Sequence, residues 1–217
     1  TLVVTLTSQC FEGERQINER KLLLISENRE DDVTVSILKF LSPADVKGTG
    51  LLDLGEDQMY MYLPEFHKIR RIAGSAKNGS FMGTDFTYND LSLINYDTSD
   101  YNSELVDTND KEYYTVELTD KDGEEQDYDR LVMTVRKSDF FPTKVEFYDK
   151  DTKKLCKVLT AYDPTDYGKY RFPKKLMMVD LESDHKTVIF VDEPEFDRKL
   201  ANDTFSERNL KRSKLRY

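Results

Sequence analysis

Apolar and polar residues alternate in short runs along most of this chain, and each run ends in a polar, turn-forming stretch. A period of two is the pattern of a strand with one face packed and one face wet. No stretch sustains the three-to-four spacing of a long amphipathic helix. Residues 1–10 set the pattern, with Leu2, Val4 and Leu6 on one face and Thr1, Val3, Thr5 and Thr7 on the other. Phe11-Glu12-Gly13-Glu14 reads as a hairpin turn, and residues 15–28 as its second strand. Further strands are expected at 33–41, 49–54, 58–63, 113–119, 128–137, 143–149, 154–162, 175–182 and 186–192. The first of these sets Val33, Val35 and Ile37 on one face. The connections DKDGEEQ, DKDTKK and ESDHK are short and charged, which suits a meander of neighbouring antiparallel strands. Two short helices are expected. One is capped by Thr87, with Asp90 three residues on, and runs into LSLI; the other is a turn or two within Ser206 to Arg212.

The chain is therefore read as mainly β, a single domain over residues 1–217. A chain of 217 residues buries roughly 70% of the surface it exposes when unfolded, so it needs no metal or disulfide for a core. Its 13 Tyr and 12 Phe suit strands, where flat rings pack on a pleated surface. The late strands pose a covering problem. In KLMMVDL, Leu176 and Met178 alternate with Met177, Val179 and Leu181; in KTVIFVD, Val188 and Phe190 alternate with Ile189 and Val191. A strand with one wet face would alternate apolar with polar. Both faces here ask for cover, and the sequence offers little helix to supply it. Either a segment upstream of Thr1 covers one face, or that face stays open to something apolar.

Charge and motifs narrow the function classes. A net charge of −10 repels a phosphate backbone, so general nucleic-acid binding is not expected, and attraction to an anionic membrane face is disfavoured. No apolar run of about 18 residues is present to span a bilayer as a helix. There is no HExxH, P-loop or GxSxG pattern, and Gly79-Ser80-Phe81-Met82-Gly83 has the wrong spacing for a nucleophile elbow. A lipid hydrolase or transferase has no feature in its favour, and no catalytic residue is assigned. Glu124-Glu125 reads as a solvated pair in a charged turn. The only His residues, His67 and His185, form no ligand-spaced pair, so neither a metal nor a cofactor is expected. Cys10 and Cys156 form no CxxC; a bond between them and two small buried hydrophobes are both open readings.

Residues 40–91 differ from the rest. A strand stops at Ser42-Pro43, Lys47-Gly48-Thr49 turns, Tyr62-Leu63-Pro64 ends another strand, and the basic stretch His67-Lys68-Ile69-Arg70-Arg71-Ile72 follows. Ser80-Phe81-Met82-Gly83-Thr84-Asp85-Phe86 closes it, with Tyr88 and Asp90-Leu91 just beyond. With Phe40, Lys144 to Asp149, Leu155 to Lys157 and Phe205, this set resembles the LolA-like outer-membrane lipoprotein-sorting proteins. The likeness runs over nearly the whole chain and is most specific at Phe81 to Phe86.

The resemblance implies a strongly curved antiparallel sheet forming an unclosed β-barrel (LolA/LolB-like) with few short helices. It also implies a periplasmic location, an N-terminal helix ahead of Thr1, and an apolar cavity for lipoprotein acyl chains or other lipids; a signal peptide removed upstream is expected separately, because the chain starts at Thr1 without Met. The alternative reading is a non-catalytic adaptor partner of a resistance-nodulation-division-type (RND-type) inner-membrane exporter. Tyr60, Tyr62, Phe81, Met82, Phe86, Leu91, Met178 and Phe190 are the candidate cavity residues, although pockets and cores use the same side chains. Met59, Met61, Met82, Met177 and Met178 are shape-adaptable and suit either role. Arg70 and Arg71 are candidates for a lipid headgroup. The competing reading pairs them with Asp85 or Asp90 to anchor the loop. The stretch 64–86 would act as a flap, and Phe81→Asp or Phe86→Asp would abolish lipid uptake in a folded protein.

Overall fold

A computed structural model describes residues 1–29, 33–55, 58–93, 101–121 and 128–217. The turn residues Glu56 and Asp57, the helix end at Ile94, and the pair Glu124-Glu125 lie outside these.

Thirteen strands form one antiparallel sheet in the order β6-β5-β4-β3-β2-β1-β13-β12-β11-β10-β9-β8-β7, not closed on itself. They are β1 (Leu2–Glu12), β2 (Arg15–Asn28), β3 (Thr34–Ser42), β4 (Gly50–Asp53), β5 (Met59–Leu63), β6 (Lys68–Ile72), β7 (Tyr101–Val106), β8 (Tyr113–Asp120), β9 (Tyr128–Arg136), β10 (Pro142–Asp149), β11 (Leu155–Tyr167), β12 (Tyr170–Asp180) and β13 (His185–Phe196). Strands consecutive in sequence are neighbours except β6 and β7, which are the two edges; β1 and β13 pair at the middle of the order, so the chain meanders outward from both ends of its sequence. Among the described residues two short α-helices accompany it, α1 (Tyr88–Leu93) and α2 (Glu207–Leu210).

All eleven expected strands are present. Two more were not expected. β6 is largely charged, and β7, with every residue after Tyr101 exposed, has no apolar face to betray it. β6 pairs residue for residue with β5, from Met59↔Ile72 to Leu63↔Lys68. Residues 68–72 are therefore sheet, not part of a flap. β3 stops at Ser42 because Pro43 has no N–H to offer the ladder.

By contact density the chain divides into two compact units: Thr1–Gln9 with Asn18–Gly79 and Phe190–Tyr217, and Cys10–Ile17 with Ser80–Ile189. In the first, Val3, Ile25, Ile37, Leu52 and Tyr62 pack around Leu210 of α2, with Leu200, Phe205, Leu215 and Tyr217 against them. The C-terminal residues thus cover one face of this unit's strands. Gly50 permits the close approach, since a Cβ there would stand 2.7 Å from Leu210 Cδ1. Ser206 caps α2, its Oγ accepting from the Asn209 N–H at 3.1 Å.

In the second unit, Phe86, Tyr128, Leu131, Phe147 and Met178 form the centre of the core. Cys10 and Cys156 are free thiols, both buried. The Cys156 thiol points at the Phe147 carbonyl (3.2 Å), and burial pushes its pKa up.

Candidate ligand-binding site

The loop before α1 folds on itself before it touches anything else. The Phe81 N–H donates to the Phe86 carbonyl (2.7 Å), Thr84 N–H to Phe81 (3.0 Å), and Ser80 Oγ to Thr84 (2.6 Å). The turn needs left-handed backbone at Met82 (φ 53°) and Gly83 (φ 74°), and glycine adopts it without strain. α1 opens with the expected reciprocal cap: Thr87 Oγ1 accepts from the Asp90 N–H (3.0 Å), and Asp90 Oδ2 from the Thr87 N–H (2.7 Å).

Two buried carboxylates fasten this loop to the sheet. Asp85 Oδ1 lies 2.6 Å from His185 Nδ1, and Oδ2 accepts from Thr187 Oγ1 at 2.6 Å. Thr187 Oγ1 in turn accepts the Asp85 N–H (3.0 Å) and lies 3.6 Å from Cys10 Sγ. Asp90 accepts from Tyr128 OH (2.9 Å) and faces Lys157 Nζ (3.4 Å). Burial removes the alternative of water, so each bond holds the loop more strongly than it would at the surface.

The fastened loop sets Phe86 and Leu91 onto the strands β8–β12, on the ladder Leu118↔Leu131↔Phe147. Beside it runs a second apolar ladder across five strands, Val116↔Met133↔Val145↔Leu159↔Met178. A two-residue step along a strand returns to the same face, so both ladders share one. The first is buried. In the second, Val116, Met133 and Leu159 remain half-buried, as does Leu176, one step further along. This incompletely covered stripe is the feature of the second unit best suited to an apolar ligand.

The sequence candidates fall into different places. Phe86, Leu91 and Met178 come together in the second unit's core, and Phe81 sits beside them in sequence, edge-on to Tyr88 at 5.5 Å. Met82 is half-buried at the tip of the turn. Tyr60 and Tyr62 belong to the first unit's core, and Phe190 on β13 is 39% exposed. Arg70 and Arg71 are exposed on β6, whereas Asp85 is buried and bonded to His185 and Thr187. Phe86 is only 2% exposed, so Phe86→Asp would bury an uncompensated charge and break the fold instead of leaving it intact.

Sequence reasoning missed Met133, Leu159 and Val116, whose membership of one ladder depends on register. It also missed Lys39, an ammonium on β3 that is 1% exposed. Its Nζ donates to the Leu210 carbonyl (2.5 Å) and stands 4.9 Å from the Tyr62 ring centroid. Desolvation lowers its pKa from 10.5 to about 8. Among the described residues no group of three or more His, Cys, Asp or Glu is placed to hold a metal, and no helix is long and apolar enough to cross a membrane.

Residues 32–212 match a family described as "Uncharacterized protein". Among solved structures, a domain from Vibrio parahaemolyticus assigned to outer membrane lipoprotein sorting superposes with a TM-score of 0.89 at 27% identity, over 97% of this chain and 91% of that one. The chain belongs to the family whose model covers residues 32–212, and it is similar over nearly its whole length to this lipoprotein-sorting domain. A DUF1329 family protein from Desulfovibrio piger superposes with a TM-score of 0.87 at 26% identity, over 96% of this chain and 90% of that one. A LolA superfamily protein from Nitrosomonas europaea shares the fold, with a TM-score of 0.76 at 21% identity over 95% of this chain and 90% of that one. No curated protein matches the chain. The unclosed, mainly β architecture of the LolA-like family is thus the architecture of this chain.

Proposed function

We infer that this protein is a periplasmic carrier that holds lipid, or the acyl chains of a lipoprotein, against the half-covered apolar stripe of its second unit. The observation behind this reading is the ladder from Val116 to Met178, in which Val116, Met133 and Leu159 keep part of their apolar surface exposed. An acyl chain laid along it would gain about 0.8 kcal/mol for each CH2 removed from water. The sorting role assigned to the Vibrio relative makes acyl chains the natural cargo. The chemistry needed is binding alone, so no residue is assigned a catalytic role. The buried Asp85 and Asp90 networks keep Phe86 and Leu91 in place and thereby preserve the stripe beside them.

Native mass spectrometry of protein purified gently from its own envelope, followed by solvent extraction, tests the reading. A reproducible added mass that extracts as lipid supports it. A bare protein that also refuses phospholipid, fatty acid and lipopeptide sinks it and leaves the exporter-adaptor reading. The stripe is tested separately by Met133→Glu and Leu159→Glu. Both positions are half-buried, so the variants should keep the wild-type circular dichroism spectrum. Each should lower affinity for a fluorescent acyl probe by about tenfold or more, the equivalent of about 1.4 kcal/mol. Unchanged affinity in both variants would move the site elsewhere.

A further inference from the structure

We propose that the β6 edge of the first unit is a docking surface for an anionic lipid bilayer. The inference rests on the carrier reading, because a bilayer-docked carrier would have its lipid cargo within reach.

Residues 64–79 hold four cations, Lys68, Arg70, Arg71 and Lys77, against the single carboxylate of Glu65, in a chain whose net charge is −10. β6 is an edge strand, paired only on its β5 side. Lys68 and Arg70 stand on one face of it and Arg71 on the other, all three exposed. Among the described residues neither Lys68 nor Arg70 takes an ion-pair partner. The turn leading into β6 is the single 3-10 turn Pro64–Phe66, followed by left-handed backbone at His67 (φ 50°). This turn leaves the Phe66 ring 59% exposed. The loop before β4 lies against it: the Pro64 ring carbons are 3.6 and 3.7 Å from where a Gly48 Cβ would be. That loop adds exposed Lys47 and exposed Asp45.

The overall acidity of the chain argues against such a surface only at long range. At physiological salt the Debye length is about 8 Å, so only charges near the contact are felt. What an approaching bilayer meets at this edge is a cationic fringe with an exposed aromatic ring at its end. Cations would pair with lipid phosphates while the ring enters the boundary between headgroups and chains. An acidic protein segment would use the cations but gain little from the ring, so the exposed Phe66 favours the bilayer.

The test is co-sedimentation of the full chain with phosphatidylcholine vesicles, with and without phosphatidylglycerol, alongside acyl-probe uptake from solution. The wild type should bind only the anionic vesicles, and added salt should release it. Lys68→Glu combined with Arg70→Glu should cut binding by about tenfold or more, since each basic side chain near the surface adds roughly fivefold to partitioning. Phe66→Ser should weaken binding several-fold, and both variants should take up the probe normally. Equal binding to neutral vesicles, or binding unchanged by the double charge reversal, would overturn the proposal. So would binding to polyglutamate but to no vesicle. Loss of probe uptake in the wild type would instead sink the carrier reading, whatever the vesicles do.

Discussion

Asp90→Ala is expected to lower the unfolding free energy by about 3–5 kcal/mol, the cost of breaking a buried charge network by removing one partner. Asp90 is 2% exposed and serves three donors: the Thr87 N–H, the Tyr128 hydroxyl and, at 3.4 Å, the Lys157 ammonium. Alanine removes the cap of α1 and the acceptor of the Tyr128 hydroxyl at the same time. Asp90→Asn keeps one acceptor oxygen and the shape, so its loss should fall between wild type and alanine. Urea unfolding reads the effect as a shift in midpoint at constant slope. A loss under about 1 kcal/mol for Asp90→Ala would mean that the network is not what fixes the loop.

Lys39→Met should change how stability responds to alkali. Folding holds the Lys39 ammonium at about 8, below its ordinary 10.5, because burial penalises the charge. Between those two values the unfolded chain binds more protons than the folded one, so stability rises with pH across that window. Below pH 8 both states are charged and the full penalty is present. Above 10.5 both are neutral and the penalty is gone. The stability of the wild type relative to Lys39→Met should therefore rise by about 3 kcal/mol from pH 7 to pH 10.5. Taking the difference between the two proteins cancels the other lysines and the tyrosines that titrate in the same range. A flat difference would show that Lys39 is solvated in the folded state. At pH 7 the substitution itself should be nearly neutral. The relieved desolvation is offset by the orphaned Leu210 carbonyl, which costs about 1–3 kcal/mol.

The sequence-based strand positions succeed where one face is apolar and fail at the two sheet edges. Lys68-Ile69-Arg70-Arg71-Ile72 and Tyr101-Asn102-Ser103-Glu104-Leu105-Val106 are edge strands, which need less apolar surface than interior ones because one side is open to water. The loop at Phe81 to Phe86 was readable as a special segment, and its cap at Thr87 and Asp90 was readable from spacing alone, since capping is local. What the loop does was less readable. Phe86 could be read as a ligand contact or as core and is buried in the core cluster, while Met133 and Leu159 read as ordinary strand residues and lie on the half-covered stripe. Side-chain type is the same in both settings, and only exposure separates them.

The sequence by itself determined the alternation, the turns and the caps, because these depend on neighbours a few residues away. Register, and with it the ladder from Val116 to Met178, was decided only when five strands met. Lys39 puts the division in one residue. The alternation of Val35 and Ile37 continues to it and sends its side chain inward, yet nothing local says how a charge could stay there. The answer came from 171 residues away, where the carbonyl of Leu210 ends α2 and accepts its hydrogen bond, and from the ring of Tyr62. A buried charge depends on partners brought by the fold, and a one-dimensional pattern carries no term for them.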